Sequence, residues 1–109
     1  MNSEEQHFVS MMRDHFGDIV SCLDSGSVLV EHEMFVLRFS LKEMRFIIHS
    51  IRVLQEGHGI GGEIVCFVQE FCEHNLVFEI IAENVLDSAF TFWEEAGFNA
   101  NGNNYYYDV

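Results

Sequence analysis

The segment from residue 57 to residue 62 contains four glycines, and it lies between an apolar run and a helical pattern. Glycine lets the backbone adopt positive φ and approach a ligand closely. The first turn of a helix adds unpaired N–H groups and the positive end of the helix dipole. This combination suits the binding of a phosphate or pyrophosphate. The run contains no GxxxxGK[ST] P-loop, and its glycine spacing is by itself weak evidence for a dinucleotide loop, so we predict anion binding by a loop of another class.

The residues before this loop predict a helix followed by three antiparallel strands. Apolar residues recur at steps of three and four through residues 3–23, with Ser3 as an N-cap, which is typical of an amphipathic helix. Three runs rich in β-branched and aromatic residues follow at 28–31, 34–41 and 45–54. The last run is apolar on both faces, so we predict that it is a central strand.

After the loop, the hydrophobic period becomes that of a helix, which should end near Asn75. A strand at 76–81, a second helix at 86–96 and a strand at 105–109 complete the pattern. The predicted fold class is α/β, a mixed and largely antiparallel sheet flanked by helices, in one domain over residues 1–109. The tyrosine-rich last strand could form an edge that pairs with a second copy, so a homodimer is one expected assembly.

The charge balance restricts the class of partner. The chain of 109 residues has a formal net charge of −13, which repels nucleic-acid backbones and attracts cationic molecules. No apolar run reaches the roughly 18 residues of a membrane span, and no basic and apolar leader is present, so we expect a cytoplasmic protein without membrane contact. The three cysteines and six histidines lack metal-ligand spacing, and no metal site is predicted.

Two motifs, in this order, are similar to those of the GNAT family of N-acetyltransferases. The run from Ile51 to Gly62 resembles the family's strand, loop and helix start, where the loop reads Gln/Arg-x-x-Gly-x-Gly/Ala. The run AFTFWEEAGF at residues 89–98 resembles its closing helix, written A-x-x-F-Y-x-x-x-G-F. The resemblance covers residues 28–109 and leaves a shortened N-terminal part. In size the chain is similar to small GNAT-like proteins that phages encode.

The resemblance implies that acetyl-CoA binds along this strand and loop. The backbone of Ile51, Arg52 and Val53 would pair with the pantetheine arm of the cofactor, and Asn84 would lie near that arm. The pyrophosphate would be held by the amides of the loop, formed by Gly57, His58, Gly59, Ile60, Gly61 and Gly62.

Two residues depart from the family pattern. Glu56 stands where the family has Gln or Arg, and a carboxylate about 4 Å from a phosphate costs on the order of 1–4 kcal/mol, so its side chain should point away. His58 could offset this charge as a hydrogen-bond donor. Trp93 stands where the family has a tyrosine that protonates the leaving thiolate. An indole N–H donates a hydrogen bond but does not release its proton near neutral pH.

Acyl transfer to an amine also needs a group that accepts the amine proton. His49, just before the stretch that would face the cofactor, and Glu33, at the end of a neighbouring strand, are candidates. Tyr105 is a candidate hydroxyl near the acyl site, since alternation along the last strand buries either Tyr106 or its two neighbours. Each has a structural alternative: a hydrogen-bonded sheet histidine, a solvated turn glutamate and a core tyrosine.

The resemblance and the charge together predict transfer of an acetyl group from acetyl-CoA to a primary amine. The acceptor would be cationic, such as a protein lysine, a polyamine or a small amine. A second interpretation is a non-catalytic acidic protein on the same scaffold that binds and blocks a basic partner. A third is a structural CoA-binding subunit. Retention of CoA would separate the first and third interpretations from the second, and turnover would separate the first from the third.

Overall fold

The computed structural model describes all 109 residues, which form three helices and seven strands in one sheet. In chain order the elements are α1 (Ser3–Phe16), β1 (Val20–Asp24), β2 (Ser27–Glu31), β3 (Phe35–Lys42), β4 (Arg45–Val53), α2 (Ile60–His74), β5 (Glu79–Ala82), α3 (Phe90–Glu95), β6 (Asn99–Asn101) and β7 (Asn104–Asp108). A short 3-10 turn, Asp87–Ala89, leads into α3.

The sheet has the order β1-β2-β3-β4-β5-β7-β6, and only the β4–β5 pair is parallel. This confirms the predicted mixed and largely antiparallel α/β fold. The three predicted strand runs correspond to β2, β3 and β4, and β4 occupies the central place in the sheet, as predicted. No helix has the length and apolar character needed to cross a membrane.

The prediction of one helix over residues 3–23 is wrong in its second half. The Asn2 side chain caps α1 by accepting a hydrogen bond from the Glu5 backbone amide. The Glu5 carboxylate in turn accepts a hydrogen bond from the Asn2 backbone amide. Gly17, at φ 87°, ends the helix. The residues that follow form β1, which pairs antiparallel with β2. The apolar residues Ile19, Val20 and Leu23 continue the helical spacing by coincidence.

All three helices pack on one face of the sheet. Phe8 of α1 contacts Phe67 and Phe71 of α2 at ring-centroid distances of 5.6 and 5.0 Å, above Phe39 and Phe46 of the sheet. The Gln69 side chain of α2 donates to the Ala96 carbonyl after α3, at 2.9 Å, which ties the two helices side by side. The hydrophobic core lies between these helices and the sheet.

The opposite side of the sheet carries no helix. Because successive strand residues point to opposite faces, this side presents the alternate set of side chains. We call it the helix-free face; it is defined by Leu29, Arg38, Ser40, Ile47 and Ile81, which pair or alternate with one another across β2 to β5.

The tyrosine-rich strand β7 is not an edge. It lies between β5 and β6, and the two edges of the sheet are β1 and β6. The strand alternates as predicted, since Tyr105 is buried on the helix side while Tyr106 lies on the helix-free face. The edge on which the expected homodimer depended is therefore already paired within the chain.

Candidate functional site

Strands β4 and β5 diverge after a short parallel contact. They pair from Arg45 and Glu79 to Ile48 and Ala82, and a hydrogen bond of 3.0 Å from the Glu83 amide to the Ile48 carbonyl follows. Beyond this point β4 continues toward α2 with β3 on one side and no strand on the other. A length of β4 backbone is thus left open on the side toward β5.

The divergence opens a cleft of about 200 Å³. Its wall is largely apolar and includes Trp93, which is 7% exposed and packs edge-on against Phe98 at 4.9 Å. The complete lining is Ile48, His49, Ser50, Ile51, Ala82, Glu83, Asn84, Val85, Leu86, Ala89 and Trp93. A partly apolar cleft with a few converging polar groups is the usual form of a small-molecule site.

The imidazole of His49 lies on the helix-free face because His49 alternates with Ile47 along β4. A β-bulge occurs here: Arg38 pairs with Ser50 and Phe39 pairs with Ile48, so His49 is the extra residue without a partner on β3, and Ser50 and Arg52 lie on the same face as His49. On this face His49 Nε2 lies 2.8 Å from Ser40 Oγ. On the other side, Nδ1 lies 2.6 Å from Glu83 Oε1. Ser40, His49 and Glu83 therefore form one hydrogen-bonded chain.

The Glu83 carboxylate assigns one proton of His49. A carboxylate can only accept, so Nδ1 carries the hydrogen that Oε1 receives, and Nε2 forms the second hydrogen bond, with the Ser40 hydroxyl. Both ring nitrogens are then occupied. The second carboxylate oxygen of Glu83, Oε2, makes no hydrogen bond within the protein, and the side chain is 36% exposed. The group of this chain that is free to meet a ligand is the Glu83 carboxylate.

The glycine loop precedes α2 in a conformation that few other residues adopt. Gly57 has φ 85°, and Gly59, the N-cap of α2, has φ 68°. No side chain caps the helix, and its first backbone hydrogen bond runs from the Glu63 amide to the Gly59 carbonyl at 3.0 Å. The amides of Ile60, Gly61 and Gly62 therefore have no acceptor within the protein. They are the unpaired donors of a helix N-terminus, where backbone N–H groups can meet an anion.

The two glycines of the first helical turn differ in their surroundings. A Cβ on Gly61 would lie 3.4 Å from the Phe92 ring and 3.7 Å from Val53, so this glycine allows α3 and β4 to approach. A Cβ on Gly62 would meet nothing within 4 Å, so packing does not require glycine there. Glu56 and His58 are both exposed, and the Glu56 side chain is free to turn away from the amides.

The residues predicted to bind a cofactor fall into three groups. Ile51 and Asn84 line the cleft, and the Asn84 amide donates to Asn104 Oδ1 at 3.1 Å. Val53 lies beside Gly61, between the cleft and the glycine loop. Arg52 is exposed, and its side chain projects from the helix-free face because it pairs with Val36. Ile51, Arg52 and Val53 lie on the open length of β4, whereas Asn84 comes after β5 and lines the same cleft.

Two of the three predicted acid-base residues lie outside the cleft. Glu33 is exposed in the turn between β2 and β3. Tyr105 is buried under α3, and its hydroxyl donates to Glu94 Oε2 at 3.4 Å. Burial raises the pKa of the Tyr105 phenol above its ordinary value, and the negative charge and hydrogen bond of Glu94 raise it further, followed by the charge of Asp87. A phenol in this state is a weaker acid than free tyrosine.

Sequence reasoning did not identify Glu83 or Ser40 as site residues. Glu83 was visible only as part of a polar break after a strand, and Ser40 as one polar residue in an apolar run. Their spacing from His49, 34 and 9 residues, carries no local signal. One clue was available: if the strand that carries His49 pairs with the strand that precedes Glu83, the two side chains can meet.

Comparison with known proteins places the fold. No protein-family profile and no curated protein sequence matches the chain. Among solved structures, it is similar to the putative N-acetyltransferase YhhK of E. coli bound to coenzyme A (12% identity, all of this chain and 92% of that one, TM-score 0.65). It is also similar to a GNAT-family acetyltransferase of Staphylococcus aureus, with 15% identity and a TM-score of 0.57. The alignment covers 99% of this chain and 95% of that one.

A third similar structure is a GNAT-family acetyltransferase of Brucella melitensis in complex with acetyl-CoA. It is 18% identical, with all of this chain and 70% of that one aligned at a TM-score of 0.51. At these identities the likeness establishes the fold and leaves function to the residues of the site. The chain has the fold of the GNAT acetyltransferases.

Proposed function

We propose that this protein transfers an acetyl group from acetyl-CoA to a primary amine. The observation that carries the proposal is the Glu83–His49 pair, which stands in the cleft where β4 and β5 diverge. On the same strand, β4 leads from this pair to the unpaired amides at the start of α2. A proton acceptor beside one end of the open length of β4 and an anion site beyond its other end are two elements that this reaction needs.

The residues present fit the cofactor along its length. The amides of Ile60, Gly61 and Gly62 would hold the pyrophosphate, and the open space beside Gly62 leaves room for it. The open backbone of β4, up to Val53, would pair with the amides of the pantetheine arm as a further strand would. When bound, acetyl-CoA supplies the activated acetyl group as a thioester.

The chain of Ser40, His49 and Glu83 would prepare the acceptor. An amine attacks only when it is neutral, and the free Oε2 of Glu83 is placed to take its proton. His49 holds the Glu83 carboxylate through Oε1 at 2.6 Å, and Ser40 fixes the ring through Nε2. Ser40 and His49 therefore act as positioning residues behind Glu83. The backbone of β4 beside the cleft offers N–H groups for charge that develops on the acyl oxygen.

The overall charge supports an acceptor whose amine arrives as a cation. A net charge of −13 raises the local concentration of ammonium groups near the surface, and Glu83 adds a carboxylate at the site itself. Protein lysines, polyamines and small amines all meet this description.

A two-part experiment tests the proposal. Calorimetry with coenzyme A should show binding, and a screen of amines with acetyl-CoA should release free thiol above the rate of hydrolysis. Binding without transfer to any amine would instead support a CoA-binding role without catalysis. Absence of binding by the correctly folded protein would refute the proposal.

We expect Trp93→Phe to change the transfer rate by less than about tenfold, or roughly 1.4 kcal/mol in the barrier. The reason is that Phe keeps the apolar wall of the cleft and loses only an N–H that does not release its proton near neutral pH. Steady-state thiol release measures the rate, and calorimetry with CoA checks that binding is intact. A thousandfold loss with unchanged CoA affinity would show that the indole participates directly.

A further inference from the structure

Most of the few cationic side chains of this acidic protein lie on the helix-free face of the sheet. The chain has 5 Lys and Arg residues against 18 Asp and Glu. Apart from Arg13 in α1, they all lie on β3 and β4, and their strand pairings place them on the helix-free face. The four are Arg38, Lys42, Arg45 and Arg52.

Two of these four cations are neutralised by acids of the same face. Arg38 forms an ion pair of 3.0 Å with Asp24, and Arg45 pairs with Glu79 at 3.5 Å. Lys42 and Arg52 have no ion pair. Lys42 lies beside Arg45 at the end of the strands away from the cleft.

Arg52 lies at the end of the strands where the cleft opens. It is two residues beyond Ser50, which lines the cleft, so about 7 Å of strand separates their Cα atoms. Its side chain is on the same face as the imidazole of His49 and the carboxylate of Glu83. Across the face, Glu31 pairs with Val36, which in turn pairs with Arg52, so about 10 Å of sheet separates the backbones of Glu31 and Arg52.

We propose that the acceptor is an amine that also carries a carboxylate, and that Arg52 binds this carboxylate while the amine meets Glu83. The proposal rests on the proposed function and specifies its substrate class. A guanidinium recognises a carboxylate through two parallel N–H bonds, which fixes orientation as well as position. The two ends of the acceptor are complementary to two of the free charges on this face, the Glu83 carboxylate and the Arg52 cation. No helix covers this approach.

The test uses linear ω-amino acids of two to six carbons, each paired with its primary amide. With acetyl-CoA, we expect the carboxylate member to have a KM at least tenfold lower than its amide at the chain length that spans from Glu83 to Arg52. Arg52→Gln should remove this preference by raising KM about tenfold with kcat within about twofold. Arg52→Lys should restore part of it. Lys42→Gln, which changes the other unpaired cation of the face, should leave the preference intact.

Binding is measured separately from turnover. Titration of the isotope-labelled protein with the same probes should shift the backbone resonances around Ser50 and Arg52 for the carboxylates and not for the amides. Equal KM values for the carboxylates and their amides would overturn the proposed substrate class. An unchanged preference for carboxylates in Arg52→Gln would do the same. So does the absence of shifts with every carboxylate. Loss of CoA binding in calorimetry overturns the proposed function instead, and the probe titration still decides the role of Arg52.

Discussion

Glu83→Gln should slow acetyl transfer by about 100- to 1,000-fold and leave the affinity for CoA within about twofold. Removal of a positioned general base typically costs 10²–10⁴ in rate. Glutamine keeps the size of the side chain and can still accept from His49 Nδ1, so the hydrogen-bonded chain through Ser40 survives. Only the capacity to take a proton at Oε2 is lost. Thiol release under single-turnover conditions measures the chemical step, and calorimetry measures CoA binding.

The matched comparison is Glu33→Gln, the same chemical change at the glutamate that sequence reasoning favoured. Glu33 is exposed in the turn between β2 and β3 and does not line the cleft. The transfer rate of Glu33→Gln should therefore stay within about twofold of the wild-type rate. If Glu33→Gln abolished transfer and Glu83→Gln did not, the acceptor would approach from the strand turn and our placement of the base would be wrong. Far-ultraviolet circular dichroism confirms folding in both variants.

Gly62→Asp should reduce the affinity for CoA by about ten- to a thousandfold without destabilising the protein. The new carboxylate occupies space that is open in this structure, next to the amides assigned to the pyrophosphate. Like charges a few ångströms apart in partly solvated surroundings repel by about 1–4 kcal/mol. In the first turn of α2, however, a carboxylate interacts favourably with the helix dipole. Aspartate also has a higher helix propensity than the glycine that it replaces.

The stability and the affinity should therefore change in opposite directions. Thermal unfolding should show an unchanged or higher midpoint for Gly62→Asp, while calorimetry shows weaker binding. Gly62→Asn provides a control of nearly the same shape without the charge, and most of the affinity should remain. Gly61 is a poorer test position because a side chain there meets the Phe92 ring at 3.4 Å. Equal CoA affinity in Gly62→Asp and wild type would place the pyrophosphate elsewhere.

The parts of the fold that could be predicted are those that local patterns determine. The strand runs, the helix after the glycines and the glycine turn at its start all follow from periodicity and from backbone freedom. The end of α1 was mispredicted because Ile19, Val20 and Leu23 keep a spacing of three to four in a segment that is a strand. The conflicting signal was Gly17, whose positive φ ends the helix. A single glycine at positive φ can thus end a helix even where the apolar residues beyond it keep a helical spacing.

The site was harder to predict because its residues meet through geometry that sequence does not encode locally. His49 was identified as a candidate, but its two hydrogen-bond partners are distant in sequence. The one-residue bulge between β3 and β4, which places Ser50 and Arg52 on the same face as His49, has no sequence signal either. Ser40 belongs to β3 and Glu83 directly follows β5, the two strands that flank β4, and only the order of the sheet brings them to His49. The unpaired amides of Ile60, Gly61 and Gly62, in contrast, belong to consecutive residues at the start of α2, which the local pattern of glycines and helical periodicity indicates.

The one-sided packing of the helices has a consequence for how this protein can evolve. Nearly all the apolar contacts that maintain the folded state lie between the helices and one side of the sheet, at residues such as Phe8 and Phe46. On the other side, Ser50 and Arg52 are exposed and contribute little to that layer. Exposed substitutions away from packed features usually change stability by less than about 0.5 kcal/mol. A lineage could thus exchange one acceptor for another by successive substitutions without approaching the threshold below which the chain unfolds.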